Sequence, residues 1–241
     1  MFDLKLFRKT FKEKTRFFIA GCDEVGRGPL AGPVVAACAS LHFEEYQEKE
    51  IKLLLKEWKI IGVNDSKKLT GKKRQEILSD LPFSGVQMTI NQIYTHRYSN
   101  NMSLNILIKE ISPQIIDEIN ILNASLKAMK EAAVESCDFS KTGLLMIDGN
   151  RAFFHDSTSV ELQPVIQGDS KSLLIGIASI AAKVYRDQLM AGYCEQYPGY
   201  HWKDNAGYGT KKHLEGIALL GLTEIHRKTF KGAKEVYEER G

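Results

Sequence analysis

The stretch CDEVGRGPLAGPVVAA, residues 22–37, constrains the fold more than any other part of the chain. An apolar run, FFIAG, leads into two adjacent acids, Asp23 and Glu24, and a second apolar run, VVAACASL, follows. Glycines and prolines separate the two runs, which predicts two strands, 17–24 and 34–41, that double back as a hairpin with a long turn. This hairpin places two carboxylates at the end of a buried strand.

Apolar periodicity predicts the remaining elements. Three further strands are predicted at GVQMTI (85–90), GLLMIDGN (143–150) and QPVIQGDSK (163–171). Helices are predicted over 44–58, after a cap at Thr70, and over 112–135, 172–197, 210–220 and 223–239. Antiparallel strands that come before parallel ones indicate an α/β fold, a mixed sheet flanked by helices with a helical C-terminal part.

Composition limits the class of protein. The 241 residues carry a net charge of +3, which is too small to indicate a nucleic-acid partner by itself. No apolar run approaches the length of a membrane span, and the N-terminus lacks the apolar core of a signal peptide, so we expect a cytoplasmic protein without a membrane partner. Four widely spaced cysteines without a CxxC pair argue against zinc and fit buried thiols: Cys22, Cys38, Cys137 and Cys194.

The N-terminus is the most basic part of the chain. Residues 1–16 hold six basic residues against two acids, a net charge of +4. They predict either an amphipathic helix, with Phe2, Leu6 and Phe11 packed on the body, or a basic arm that touches phosphate. We therefore expect a basic extension over 1–16 and a single catalytic domain over 17–241.

Four acids share one position: each ends an apolar run and precedes a glycine or a polar turn. They are Asp23, Glu24, Asp148 and Asp169. Strand ends on one edge of a parallel sheet form a common cleft, where crowded carboxylates repel one another. A pair of divalent cations resolves that repulsion and can activate water beside a phosphate. Oxygen ligands favour Mg²⁺ or Mn²⁺.

Each acid also has a structural alternative. Asp148 can be a turn residue before Gly149, and Asp169 can cap a helix. Neighbouring strand residues point to opposite faces, so Asp23 and Glu24 reach one site only if the strand ends or bulges there, or if one contributes its backbone carbonyl. Asp187 competes for the role of fourth acid, but a pairing with Lys183 or Arg186 inside a packed helix is the alternative for it.

Arg27 lies between two glycines, Gly26 and Gly28. Glycines permit positive φ and a close approach of the backbone to another chain. Exposed backbone N–H groups in such a turn form an anion-binding concavity, to which Arg27 adds a bidentate contact. The alternative is a tight turn with Arg27 in solvent.

Several motifs in family order resemble the bacterial ribonuclease HII family. They are DEVGRGPLAGPVVAA, NDSKKL, INILNASLKAM, MIDGN, GDSKS, ASIAAKVYRDQLM, YPGY, GYGTKKHL and IHRKTF, which together span roughly 17–230. Residues 92–114 form a longer segment than the family usually has there, which leaves their local structure open.

The resemblance implies a ribonuclease H-like fold and metal-dependent cleavage of RNA in RNA–DNA hybrids, and also beside single ribonucleotides embedded in duplex DNA. It assigns catalysis and two Mn²⁺ or Mg²⁺ ions to the four acids, and recognition of the ribose hydroxyl and its phosphate to the 26–28 loop. Tyr208 in GYGT is expected to stack on a deoxyribose, which carries no 2′-OH. Lys67 and Lys183 are expected to contact nucleic acid, and a monomer is expected.

Three alternative functions fit the sequence less well. A ribonuclease HIII typically carries a large N-terminal substrate-binding domain, which 16 leading residues cannot supply. A catalytically silent hybrid binder would favour losing the acids rather than keeping them. A phosphate-loop nucleotidase is excluded because the sequence contains no G-x-x-x-x-G-K-[ST] motif.

Overall fold

The computed structural model of the protein describes residues 2–63, 69–83 and 85–240. Within these residues a six-stranded sheet forms the centre, with its strands hydrogen-bonded in the order third, fourth, second, first, fifth, sixth. The strands are β1 (Thr15–Val25), β2 (Val34–Glu45), β3 (Tyr94–Arg97), β4 (Met102–Ile111), β5 (Thr142–Asp148) and β6 (Val160–Val165). β1 to β4 pair antiparallel, whereas β5 joins β1 and β6 joins β5 in parallel, as predicted.

Helices cover both faces of this sheet. They are α1 (Phe2–Phe11), α2 (Glu48–Ile61), α3 (Gly71–Asp80), α4 (Pro113–Ser136), α5 (Gly168–Lys171), α6 (Leu173–Gln196), α7 (Trp202–Asn205), α8 (Lys211–Leu220) and α9 (Lys234–Arg240). The mixed sheet, its flanking helices and the helical C-terminal part confirm the predicted fold class. In the described part of the chain, no helix combines the length and apolar character needed to cross a membrane.

Two-residue alternation along β1 divides the core into two layers. Phe17 and Ile19 belong to the cluster that includes the apolar residues of α6, and Phe18 and Ala20 belong to the cluster that includes those of α4. Each large apolar side chain buried in this way contributes about 1.5–3 kcal/mol to the free energy of unfolding. The same alternation determines which layer each acid faces at the end of β1.

The prediction of a strand at 85–90 is wrong. These residues form a turn and an irregular segment, and the strands β3 and β4 lie within 92–114, the segment left open by the sequence. In β4 the residues that alternate along the strand are buried: Met102, Leu104, Ile106 and Ile108. β4 pairs with β2 on one side and β3 on the other. Residues 85–90 have no such neighbouring strands in the described part of the chain.

The N-terminal segment is helical and packs on the sheet. Phe7 and Phe11 of α1 are buried, and the Phe11 ring stacks on Phe17 with centroids 4.4 Å apart. Asp3 is also buried, and its carboxylate accepts hydrogen bonds from Ser172 Oγ (2.6 Å) and the Leu173 N–H (2.9 Å) at the start of α6. The structure therefore has the packed amphipathic helix rather than the basic arm.

The predicted helix over 223–239 is shorter than expected, because only its last part is the helix α9. Residues 222–233 form turns instead. The Arg227 N–H donates to Leu30 O (2.8 Å), and Gly232 adopts a φ of +98°. These tertiary contacts replace helical hydrogen bonds, and they bring Arg227 to the turn that follows β1.

Candidate active site

The parallel pairing of β1 with β5 aligns two of the predicted acids. Cys22 pairs with Ile147, so the next residues, Asp23 and Asp148, lie side by side at the same edge of the sheet. β5 ends at Asp148, and Gly149 follows with a φ of +102°. The carboxyl ends of two neighbouring strands therefore meet where the sequence predicted a cleft.

Asp23 is only 4% exposed. Burial, together with the charges of Glu24 and Asp148, raises the pKa of its carboxyl group to about 8, although Lys183 and a hydrogen bond with Ser179 act in the opposite direction. Lys183 Nζ in turn donates to Ser179 Oγ (2.7 Å). Asp23 thus faces α6, with Lys183 as a nearby positive charge.

Glu24 faces the opposite layer, as strand alternation requires. It lines a cavity of about 210 Å³ together with Leu126, Met129 and Asp148, beside α4. Its Oε1 accepts from Arg27 Nη1 (3.3 Å), but its buried Oε2 has no hydrogen-bond partner among the described residues. Burial raises the pKa of Glu24, and the charge of Asp148 adds to the increase although Arg27 opposes it.

Asp169 lies in the short helix α5 and is 3% exposed. The N–H of its neighbour Gly168 donates to Asp148 Oδ1 (2.6 Å), which joins the α5 turn to the end of β5. Neither helix uses Asp169 as its N-cap, because Gln167 precedes α5 and Ser172 caps α6. The capping alternative for Asp169 is therefore wrong, while Asp148 does organise a turn through Gly168.

Asp187 lies outside this group of acids. Its side chain is 46% exposed and accepts from Arg74 Nη2 at 2.9 Å. The expectation that Asp187 is packed is wrong, because the helix α6 turns this residue towards α3 and solvent, where it forms an ion pair with Arg74. Asp169 is therefore buried beside the end of β5, whereas Asp187 is half exposed.

The chemistry of this donor set suits a hard divalent cation. The predicted ligands carry only carboxylate oxygens, the kind of donor that Mg²⁺ and Mn²⁺ prefer. Oε2 of Glu24 is buried without a partner among the described residues, and burial together with the charges of Glu24 and Asp148 disfavours the ionised form of Asp23, so a cation bound here would stabilise both carboxylates. In the part of the chain that the structure describes, no three metal-ligating side chains already converge on one point.

The loop after β1 lies beside these acids. Gly26 adopts a φ of +89°, and a side chain at this position would collide with Arg186. A Cβ at Gly28 would lie 3.2 Å from Cε1 of Tyr208, so the tyrosine ring packs directly on the loop. Tyr208 remains 50% exposed, and Arg27 extends from the loop with half of its side chain exposed.

Two buried arginines hold this loop from behind, and the sequence reasoning missed their role. Arg227 donates to Gly26 O (2.5 Å), Arg27 O (3.0 Å) and Gly32 O (2.9 Å). Arg186 donates to the backbone carbonyls of three other residues: Ala31 (3.1 Å), Pro33 (3.1 Å) and Ala206 (2.9 Å). Both arginines lie inside motifs that carried the family resemblance, which was the available signal.

Burial lowers the pKa of both guanidiniums, to about 10 for Arg186 and about 9 for Arg227, where the charge of Arg186 contributes as well. Both values lie above 7, so both side chains are cations at neutral pH. Lys183 approaches Asp23 as described, whereas Lys67 lies outside the described residues. Arg151 also lines the cavity beside Glu24, and nothing in the sequence reasoning selected it.

Comparison with known proteins identifies the family. The family model described as ribonuclease HII matches residues 20–233. The chain belongs to the ribonuclease HII family. A ribonuclease HII from Leuconostoc mesenteroides is 40% identical over 218 residues, which cover 90% of this chain and 72% of the relative.

Solved structures of ribonucleases H2 and HIII share this fold. Ribonuclease H2 from Pyrococcus horikoshii has a TM-score of 0.60 at 22% identity and covers 92% of this chain and 98% of its own. Bst-RNase HIII, solved in complex with Mn²⁺, has a TM-score of 0.55 at 14% identity over 93% of this chain and 70% of its own. As a member of the ribonuclease HII family, the protein is a ribonuclease H enzyme, an endonuclease that acts on the RNA of RNA–DNA hybrids.

Proposed function

We propose that this protein also cuts at single ribonucleotides embedded in duplex DNA, and that it uses two divalent ions, Mn²⁺ or Mg²⁺. The observation that carries the proposal is that two features lie next to each other. The first is the set of acids at the ends of β1 and β5, and the second is the 26–28 loop with Tyr208 packed on Gly28. The acids supply a site for cleavage, and the loop with its tyrosine supplies a site that can read the sugar on each side of the cut.

Asp23, Glu24, Asp148 and Asp169 would hold the ions. When bound, divalent ions activate water and neutralise charge on the leaving oxygen of a phosphodiester. The unpartnered Oε2 of Glu24 supports this role, since a buried carboxylate oxygen without a donor is costly unless a cation meets it. The Mn²⁺ in the structure of Bst-RNase HIII is consistent with the same preference.

The remaining side chains bind and orient the substrate. Arg27 pairs with Glu24 and is half exposed, so it can bind a phosphate once a cation takes over its partner. The half-exposed ring of Tyr208 can stack on a deoxyribose, where an added 2′-OH would meet the ring. Lys183 lies behind Asp23, close enough to offset charge when phosphate arrives, and Lys67 is proposed as a further phosphate contact.

The proposal extends to the state of the protein in the cell. We place it in the cytoplasm as a monomer, with residues 17–241 as the catalytic domain and 1–16 as a basic extension. The free thiols of Cys22, Cys38 and Cys137 are buried and suit a reducing compartment.

The experiment is cleavage of a DNA duplex that carries one ribonucleotide, with an all-DNA duplex as the control. Cutting beside the ribonucleotide in Mn²⁺ or Mg²⁺, none in EDTA and none of the all-DNA duplex is the expected result. A protein that cleaves continuous hybrids but leaves the single ribonucleotide intact would contradict the finer part of the proposal.

A further inference from the structure

Arg227 and Arg186 hold different peptide units in and around the loop that follows β1. Both side chains are buried, and each donates three hydrogen bonds to backbone carbonyls. Two of the carbonyls held by Arg227 belong to Gly26 and Arg27, the residues that begin the substrate loop. Those held by Arg186 belong to peptides outside 26–28. The two arginines are therefore matched in burial and bonding but differ in what they position.

The direction of each carbonyl fixes the direction of the next N–H. The described peptide bonds are all trans and planar, so the C=O and the following N–H point in opposite directions. The carbonyls of Gly26 and Arg27 point inward to Arg227. The N–H groups of Arg27 and Gly28 consequently point outward, away from the buried guanidinium.

These two N–H groups have no acceptor among the described residues, and both residues are exposed. The peptides held by Arg186 differ: the Gly32 N–H donates to Ile225 O (2.8 Å), and the Gly207 N–H donates to Asn205 Oδ1 (2.8 Å). The free pair of N–H groups is thus confined to the part of the loop that Arg227 holds. Neighbouring outward N–H groups backed by a buried cation form an anion-binding concavity.

We propose that Arg227 is a positioning residue for substrate recognition, because its fork aims the N–H groups of Arg27 and Gly28 at the phosphate and ribose hydroxyl of the substrate. The inference rests on the proposed function and adds the residue that orients its recognition loop. The backbone of Arg227 is itself fixed by the hydrogen bond to Leu30 O, and its guanidinium lies 5.0 Å from the Phe230 ring centroid. The fork therefore has a defined direction.

The first test uses the wild-type protein in EDTA. The amide ¹⁵N–¹H resonances of Arg27 and Gly28 are followed while a DNA duplex with one ribonucleotide is added, with the internally bonded Gly32 amide as the control. Both loop amides should shift downfield and saturate together, and the Gly32 amide should move little. Unmoved Arg27 and Gly28 amides at saturation would overturn the inference.

The second test compares Arg227→Lys with Leu55→Ala, a variant of a buried core residue in α2. Lysine keeps the charge but cannot hold several carbonyls with one planar fork. Arg227→Lys should reduce the ratio of affinities for the single-ribonucleotide and all-DNA duplexes by about tenfold or more, the effect of losing hydrogen bonds to a charged group. It should raise KM more than it lowers kcat. Leu55→Ala should lower Tm by leaving a cavity in the core and should retain the ratio.

The outcomes separate the inference from the function on which it rests. A wild-type protein that neither cleaves nor prefers the single-ribonucleotide duplex contradicts the proposed function. A wild-type protein that does both, together with an Arg227→Lys variant that retains the preference, contradicts the role of Arg227 alone. If Arg227→Lys does not fold, the wild-type amide shifts decide the question.

Discussion

The acids at the end of β1 and the arginines behind the neighbouring loop are both largely removed from solvent, but they differ in whether their polar atoms have hydrogen-bond partners. Asp23 and Glu24 bring two carboxyl groups to the end of β1, and Oε2 of Glu24 has no hydrogen-bond partner among the described residues. Arg186 and Arg227 carry positive charge to the neighbouring loop, and all three nitrogens of each guanidinium donate to backbone carbonyls. A satisfied polar network makes a structure rigid, whereas an unsatisfied one awaits a ligand. Burial alone therefore does not distinguish a structural charge from a functional one.

The largest expected effect comes from removing charge at the acid end. Asp23→Asn should lower kcat by at least about 100-fold, as expected when one electrostatic contribution to a transition state is lost. The metal-free variant should unfold at a higher temperature than the wild type at neutral pH, since Asn avoids the cost of burying or protonating, next to Glu24 and Asp148, a carboxyl group that is ionised in the unfolded chain. Cleavage assays and thermal melts in EDTA measure the two effects. Near-normal turnover by a folded Asp23→Asn protein would contradict the proposed role.

Protonation should weaken the other half of the site at acid pH. His226 is buried near the loop, and its Nε2 lies 3.2 Å from Nε2 of His213, whose Nδ1 contacts Tyr208 O (2.9 Å). Burial, together with the charge of His213, lowers the pKa of His226 to about 4. The unfolded chain then binds more protons than the folded one between pH 6.5 and about 4, so stability is present above this range and falls as pH drops through it.

The size of that loss is about 3 kcal/mol for His226, at 1.36 kcal/mol per pH unit of pKa difference. Urea unfolding at several pH values compares the wild type with His226→Asn. The variant should be less stable at pH 7 and should show a shallower loss between pH 6.5 and 4. Parallel curves for the two proteins would mean that His226 does not contribute to the acid response.

Asp3 should have a smaller effect through the acid end. Its carboxylate accepts from Ser172 Oγ and the Leu173 N–H, next to the α5 turn that carries Asp169. Asp3→Asn keeps one acceptor oxygen, but its NH₂ group replaces the other oxygen and faces a hydrogen-bond donor. The buried donor that loses its acceptor should lower the free energy of unfolding by about 1–3 kcal/mol. Thermal melts provide the measurement, with Glu13→Gln as a control outside α1. Equal melting temperatures for wild type and Asp3→Asn would show that the hydrogen bonds of Asp3 do not stabilise the structure around Asp169.

The smallest effect is expected at Asp187, which tests the choice of acid. The ion pair with Arg74 is partly exposed, so Asp187→Asn should cost no more than about 1 kcal/mol. Turnover should stay close to the wild-type value. An inactive but folded Asp187→Asn protein beside an active Asp169→Asn protein would reverse the assignment of the fourth acid.

The sequence predicted the sheet's centre and the acid positions because both follow from local patterns. Alternation and glycine-rich turns located β1, β2 and β5, and the acids end β1 and β5. It misplaced a strand at 85–90, because alternation in a short segment does not say whether a neighbouring strand is available for pairing. The true strand β4 obtains that neighbour only after the chain folds back onto β2.

The arginine half of the site could not be predicted for a related reason. A basic residue in a helix or a turn is normally exposed, and although the apolar helix around Arg186 indicates packing, nothing local to Arg186 or Arg227 indicates which backbone carbonyls they bind. Their environment is built from residues 26–33 and 206, distant in sequence, whose carbonyls turn inward together. The same holds for Asp187, whose partner Arg74 comes from another helix.

The most direct measurement of the central claim is thermal unfolding in Mn²⁺ and in EDTA, for the wild type and for Asp23→Asn. A ligand that binds only the folded state at 100 times its Kd stabilises it by about 2.7 kcal/mol. The wild type should therefore melt at a clearly higher temperature in Mn²⁺, and the variant should lose most of this increase although its melting temperature in EDTA is higher. A wild-type protein that melts at the same temperature in both conditions, and cleaves its substrate in EDTA, would contradict the account.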